Sequence, residues 1–311
     1  MVHTFRYDDR PVAIKILIPE STSEATPECK ANFQREVNLL SKMEHNNIIK
    51  FVAASVEPTM ILVTELMEGG SLQKHLKNMY PITFCLEQCL SYALEISQAM
   101  EYLHANGIIH RDLKPGNLLL TKDHNHVKLA DFGVARDFGD EMTCEAGTYR
   151  YMAPEVMSKD PLPKGAKKSY DHKADVFSFA LTLWSLITNQ IPFKDRIDLM
   201  AAYATKNNIR PSLDELPEEI VPLLQSCWME DPKLRPEFKE ITETLIRILQ
   251  NIYTKKINDL ASIKETAKSE AQTSRENENM TMESETMDEK KPKKKCKIKR
   301  FFAYFRSCIA F

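Results

Sequence analysis

From His110 to Arg136 the chain reads HRDLKPGNLLLTKDHNHVKLADFGVAR, a stretch dense in groups able to act together. Asp112 can orient a hydroxyl and accept its proton, and Lys114 sets a cation close by. Asn117 and Asp131 offer the hard oxygen ligands preferred by metal ions that bridge nucleotide phosphates. Such a set suits phosphoryl transfer, where positioning and charge neutralisation outweigh covalent chemistry. A single tripeptide of this kind arises by chance, and charged loops are common, so the weight lies on joint order and spacing.

That order and spacing resemble the eukaryotic protein kinases. His110-Arg111-Asp112, Asn117 and Asp131-Phe132-Gly133 match the catalytic and metal loops, with Val12-Ala13-Ile14-Lys15 upstream and Ala153-Pro154-Glu155 downstream. The resemblance implies that Asp112 and Lys114 are catalytic, that Asn117 and Asp131 carry Mg2+, and that ATP is the phosphoryl donor to a protein substrate. Lys114 in HRDLKPGN is the serine/threonine form. GTYRYMAPE, DHKADVFSFALTLWSLIT and CWMEDPKLRPEF are similar to the tyrosine-kinase-like branch, most of all the Raf-like MAP kinase kinase kinases of plants. The likeness covers roughly residues 5–250.

The elements that must position these groups follow from local pattern. Residues 11–18, PVAIKILI, read as a short buried strand with one lysine. Alone, Lys15 is a snorkelling or edge-strand lysine; the resemblance gives it the nucleotide phosphates and a glutamate partner on the next helix. Residues 30–43 supply that helix, with Phe33, Val37 and Leu40 on its apolar face and Glu36 as the partner. Strands are expected at 48–56 and 60–66. ILVTELMEGGSL then resembles the kinase hinge: Thr64 as gatekeeper, and the backbone of Glu65 and Met67 against adenine, with Ala13 above the ring and Leu119 below it. Ser71 is placed to cap the next helix.

A long helix is expected from Thr83 to Ala105, with Cys85 and Cys89 as small buried residues and Gly107 as a left-handed cap. The segment from Asp131 to Glu155 resembles an activation segment. A phosphate on Thr143 would pair with Arg111, whereas Thr148 is expected to bond the catalytic Asp and Lys. The 173–188 helix is apolar on nearly every face, so it belongs at the centre of a larger lobe. The resemblance ties its Asp175 to the catalytic-loop amides, and Arg235 to Glu155. Amphipathic helix continues to about Tyr253.

The expected architecture is α+β and two-lobed: a small β-rich kinase lobe, N-terminally truncated (1–66), and a hinge with a large, mainly helical lobe (67–254). No glycine precedes Gly69, so the glycine-rich G-x-G-x-x-G loop of kinases has no counterpart upstream of Lys15. Three expectations follow: a truncated active kinase, a weakly active variant, or a catalytically silent, membrane-tethered docking protein. Seven cysteines without paired spacing speak against a disulfide framework or zinc site and for a cytoplasmic setting. No signal-peptide core opens the chain, and no run reaches the roughly 20 apolar residues of a membrane span.

Residues 255–289 are polar and poor in aromatics, as expected of a disordered linker whose first part extends the preceding helix. Residues 290–311 hold nine Lys and Arg and no acid; with a formal net charge of −2, residues 1–289 carry about −11. The terminal Cys308-Ile309-Ala310-Phe311 fits a prenylation box, with Cys296 open to palmitoylation. Lysines 290–299 and the aromatics Phe301, Phe302, Tyr304 and Phe305 suit an anionic membrane surface. The rival reading of KKPKKKCK is a nuclear signal. No nucleic-acid partner is expected.

Overall fold

The computed structural model describes residues 2–8, 10–17, 26–137, 149–157 and 171–278. Its first compact unit comprises residues 1–255. Strands β1 (Val2–Tyr7) and β2 (Arg10–Leu17) form an antiparallel hairpin in which Val2 lies opposite Lys15. Helix α1 (Pro27–Leu40) follows, then β3 (Phe51–Ser55) and β4 (Met60–Glu65). The four strands make one antiparallel sheet in the order β1-β2-β4-β3. Lys15 thus sits on a central strand, opposite Leu62.

Helix α1 begins earlier than the 30–43 pattern suggested. Thr26 caps it by accepting a bond from the Cys29 amide at 3.2 Å, and Pro27 occupies the first turn, where its missing N–H costs nothing. Its buried stripe is Phe33, Glu36 and Leu40, with Val37 only half-buried. Glu36 therefore lies on the apolar face itself, which makes a cationic partner necessary.

The larger lobe starts at β5 (Gly70–Ser71) and α2 (Leu72–Met79), where Ser71 caps the helix through the Lys74 amide at 3.3 Å. Gly69 cannot carry a side chain, because a Cβ there would meet the Leu120 carbonyl at 2.7 Å. Helix α3 (Leu86–Ala105) starts three residues after the expected Thr83. Cys85 is its N-cap, in extended backbone and exposed, which corrects its reading as buried. Cys89, one turn inside, is buried and donates to the Leu186 carbonyl, and burial pushes its thiol up to about 12. Gly107, at φ 73°, follows the helix as expected.

Short strands β6 (Ile108–Ile109), β7 (Leu118–Leu120), β8 (Val127–Leu129) and β9 (Arg136–Asp137) flank the catalytic stretch. They pair as β5-β7-β8 and β6-β9. Backbone bonds at Asn47 and Ile49 join Leu129 of β8 to the segment leading into β3. Helix α4 (Lys173–Thr188) is buried from Lys173 to Leu186 and ends at a left-handed Asn189, φ 50°. Around it lie α5 (Asp198–Lys206), α6 (Val221–Cys227) and α7 (Phe238–Glu278). The fold is the two-lobed α+β architecture expected. Helix α7 buries Phe238, Ile241, Leu245 and Ile248 at helical spacing. It runs past the 254/255 boundary read from composition. From Lys256 the chain belongs to a second unit, whose described part is the remaining helix. No described helix is long and apolar enough to cross a membrane.

Candidate active site

Lys15 is where the two lobes meet chemically. Its ammonium lies 2.9 Å from Glu36 Oε1 and 2.9 Å from Asp131 Oδ1, joining β2, α1 and the DFG turn. Burial alone would lower the Lys15 pKa, but the two carboxylates outweigh it and hold it above its ordinary value. Burial alone would also raise Asp131; Lys15, with His110 nearby, holds it below the usual carboxylate range. Glu36, only 3% exposed, is pushed up by burial against the pull of Lys15. Asp131 adopts φ 65°, a left-handed backbone that non-glycine residues enter at a cost and that turns its carboxylate toward Lys15.

Asp112 anchors the second group. Its Oδ2 accepts from Lys114 Nζ at 2.6 Å and from Asn117 Nδ2 at 2.9 Å, and its carbonyl accepts from the same Asn117 amide at 2.8 Å. With Nδ2 so committed, Oδ1 is the Asn117 atom that could hold a metal. The Asn117 carbonyl accepts from the Ala130 amide at 2.9 Å, so the Asp112 group is stitched to the residue preceding Asp131. The His110 ring packs edge-on against Phe132 at 5.2 Å, locking the two loops together.

Asp175 holds the catalytic loop from below. Fully buried on α4, it accepts from the Arg111 amide at 2.8 Å through Oδ1 and from the His110 amide at 2.9 Å through Oδ2. His104 Nε2 lies 2.9 Å from the same Oδ2. These bonds stabilise Arg111 at φ 73°, another left-handed residue. The Arg111 guanidinium reaches the Val134 carbonyl at 3.2 Å, on the segment that leads toward Thr143.

Arg235, 2% exposed, meets Glu155 through two bonds of 2.6 and 2.9 Å and donates to the Met229 and Lys173 carbonyls. Removing one partner of a buried pair strands the other. Glu155→Ala is therefore expected to destabilise the fold by about 3 kcal/mol, read as a lower urea midpoint at unchanged slope. A loss below ~1 kcal/mol would instead place the pair among exposed, weak ones.

Of the residues expected around adenine, Ala13 and Thr64 are direct cross-strand partners, and Leu119 of β7 stands opposite Ser71 of β5. The Glu65 side chain turns to Lys128 Nζ at 2.6 Å and to the Lys50 amide at 2.8 Å. Met67 is buried, and its carbonyl accepts from Gly70. Thr143, Thr148, Cys296 and Cys308 lie outside the described residues.

Three supporting residues escaped the sequence reading. His104 braces Asp175. Glu95, buried in the apolar stripe of α3, accepts from the Val127 amide at 2.7 Å and pairs with His126. Arg150 donates to the Phe193 and Arg196 carbonyls at 2.7 Å each and bonds Asp198, fixing the loop before α5. An acid inside an apolar helical stripe was the one available signal, at Glu95. The other contacts join distant segments and leave no local mark.

Comparison with known proteins agrees with this geometry. The protein kinase domain family matches residues 2–245. The serine/threonine-protein kinase STY17 of Arabidopsis thaliana is 41% identical over 73% of this chain and 39% of its own length. The serine/threonine/tyrosine-protein kinase HT1 of the same plant is 39% identical over 73% of this chain and 57% of its own. The mitogen-activated protein kinase kinase kinase 7 of Bos taurus is 38% identical over 72% of this chain and 37% of its own. The chain thus spans between about two-fifths and three-fifths of these relatives. With its Lys15–Glu36–Asp131 and Asp112–Lys114–Asn117 groups on that shared fold, the chain belongs to the protein kinase family, in its tyrosine-kinase-like, Raf-like branch.

Proposed function

We propose that this chain transfers the γ-phosphoryl group of Mg-ATP to serine or threonine hydroxyls of a protein substrate. The observation that carries the reading is the bonded set Asp112–Lys114–Asn117, tied through Ala130 to the Lys15–Asp131 pair. The donor set fits the cofactor: a carboxylate and an amide oxygen for a hard divalent metal, and an ammonium for phosphates. Bound Mg-ATP supplies the phosphoryl group and neutralises part of its charge. Asp112, its orientation fixed by two donors, accepts the hydroxyl proton. Lys114 stands beside it to offset charge as the bond forms. Lys15 holds phosphate oxygens while Glu36 keeps it in place. The test is phosphoamino-acid analysis of a substrate labelled from ATP. Phosphoserine and phosphothreonine support the reading; phosphotyrosine alone would overturn it.

We also propose that residues 290–311 bind the anionic cytoplasmic face of a membrane. Support comes from nine basic residues without an acid, eight of them ahead of Phe301, Phe302, Tyr304 and Phe305, behind a body of opposite charge. Each basic residue near such a surface contributes about 1 kcal/mol. Sedimentation with phosphatidylserine vesicles should fall at least tenfold, roughly 1.4 kcal/mol, when Lys293, Lys294 and Lys295 become Gln. Equal sedimentation with neutral vesicles would reject the proposal, and nuclear accumulation without membrane association would favour the basic-signal reading.

A further inference from the structure

Among the described residues, one cluster outside the active site gathers metal-ligating side chains. His104 lies at the end of α3, His172 caps α4, and Glu237 immediately precedes α7. One ligating atom from each lies within 4.8 Å of the other two. His172 Nε2 and Glu237 Oε2 stand 2.9 Å apart. That is close to the ~3.3 Å edge of a tetrahedron with metal–ligand bonds of about 2.0–2.1 Å. The two imidazole rings pack edge-on with centroids 5.0 Å apart, so three separate segments already converge.

We propose that His104, His172 and Glu237 bind a zinc-class divalent ion, with water in the fourth position. The chemistry separates this site from the nucleotide's magnesium. Two imidazoles and one carboxylate suit zinc and its neighbours, whereas Mg2+ takes oxygen ligands. His104 already has the support metal-binding histidines require: its Nε2 bonds the fully buried carboxylate of Asp175 at 2.9 Å. Such a carboxylate sets the ring's orientation and places its hydrogen on Nε2, which assigns ligation to Nδ1. At His172 the metal would take Nε2 in place of its hydrogen bond to Glu237, leaving Nδ1 to carry the ring hydrogen. Glu237, 49% exposed, opens the site to solvent. Lys173 Nζ, 2.6 Å from Glu237 Oε1, holds the other carboxylate oxygen and tempers the affinity.

The position has a consequence beyond binding. Asp175 joins His104 to the His110 and Arg111 amides, so a metal on His104 is two hydrogen bonds from the catalytic loop. The site would set the rigidity of that loop, in line with the kinase reading but independent of it in its test.

The test is a Co2+ titration of the full chain in excess Mg2+, after alkylation of its thiols, read by ligand-field absorption. One tetrahedral Co2+ per chain, displaced by Zn2+, is expected in the wild type. His172→Ala and Glu237→Ala should each weaken Co2+ binding at least tenfold. Zn2+ should raise the melting temperature of the wild type alone. Absence of a tetrahedral Co2+ band in the wild type would overturn the proposal without recourse to any variant. Equal Co2+ affinity in the wild type and both variants would do the same. The readout is metal binding, so a chain that fails to phosphorylate still tests it.

Discussion

Asp175→Ala is expected to lower stability by about 3–5 kcal/mol and to reduce phosphoryl transfer at least 100-fold. The carboxylate has no solvent exposure and serves two backbone amides and His104. Its loss leaves the His110 and Arg111 N–H groups buried without an acceptor, at ~1–3 kcal/mol each. It also releases Arg111 from φ 73°, and a loop displaced by about 1 Å loses roughly two orders of magnitude in rate. Asp175→Asn is a poor rescue, since its NH2 group would face a second donor. Burial alone would raise the Asp175 pKa, but the His104 bond, the neighbouring imidazoles and the Arg111 amide outweigh it and hold it low. Because the folded pKa is depressed, its contribution is complete above the unfolded carboxylate value near 4 and is lost as pH falls through the lower folded value. Urea unfolding across pH 2–7 should therefore show a shallower acid slope in Asp175→Asn. An identical slope in the two proteins would contradict this.

Asp112→Asn is expected to reduce transfer by about 10²–10⁴-fold, the range for removing a general base. Stability should hardly change. The side chain is about the same size, and its amide oxygen can still accept from Lys114 and Asn117, which now meet it at 2.6 and 2.9 Å. What the variant lacks is basicity. Circular dichroism melting should superpose on the wild type while the rate collapses. A parallel fall in both would assign Asp112 a structural role instead.

Much of this was legible because the pattern was local. Helix α4 was read at its observed bounds, since a segment apolar on nearly every face has few other places to go. Ser71 was read as a cap from the residue type and the following helix, and its bond to Lys74 is present. The motif residues were legible through a family resemblance carried by their order and spacing; no local pattern by itself brings Lys15 to Asp131 across 116 positions. The start of α1 was missed because the Thr26-Pro27 signal sits in a polar run whose apolar period begins only at Phe33. Cys85 was misread because residue type favours burial while its N-cap position faces solvent. His104 and Arg150 act through the 104–175 and 150–193 contacts, which tertiary packing alone creates.

The most direct test of the central claim is transfer of labelled phosphate from Mg-ATP to casein by this chain, beside Asp112→Asn. Incorporation into serine and threonine by the wild type, lost at least 100-fold in an equally folded variant, is the predicted result. A folded wild type that transfers no phosphate, or a variant that matches it, would contradict the account and leave a kinase fold that works by docking alone.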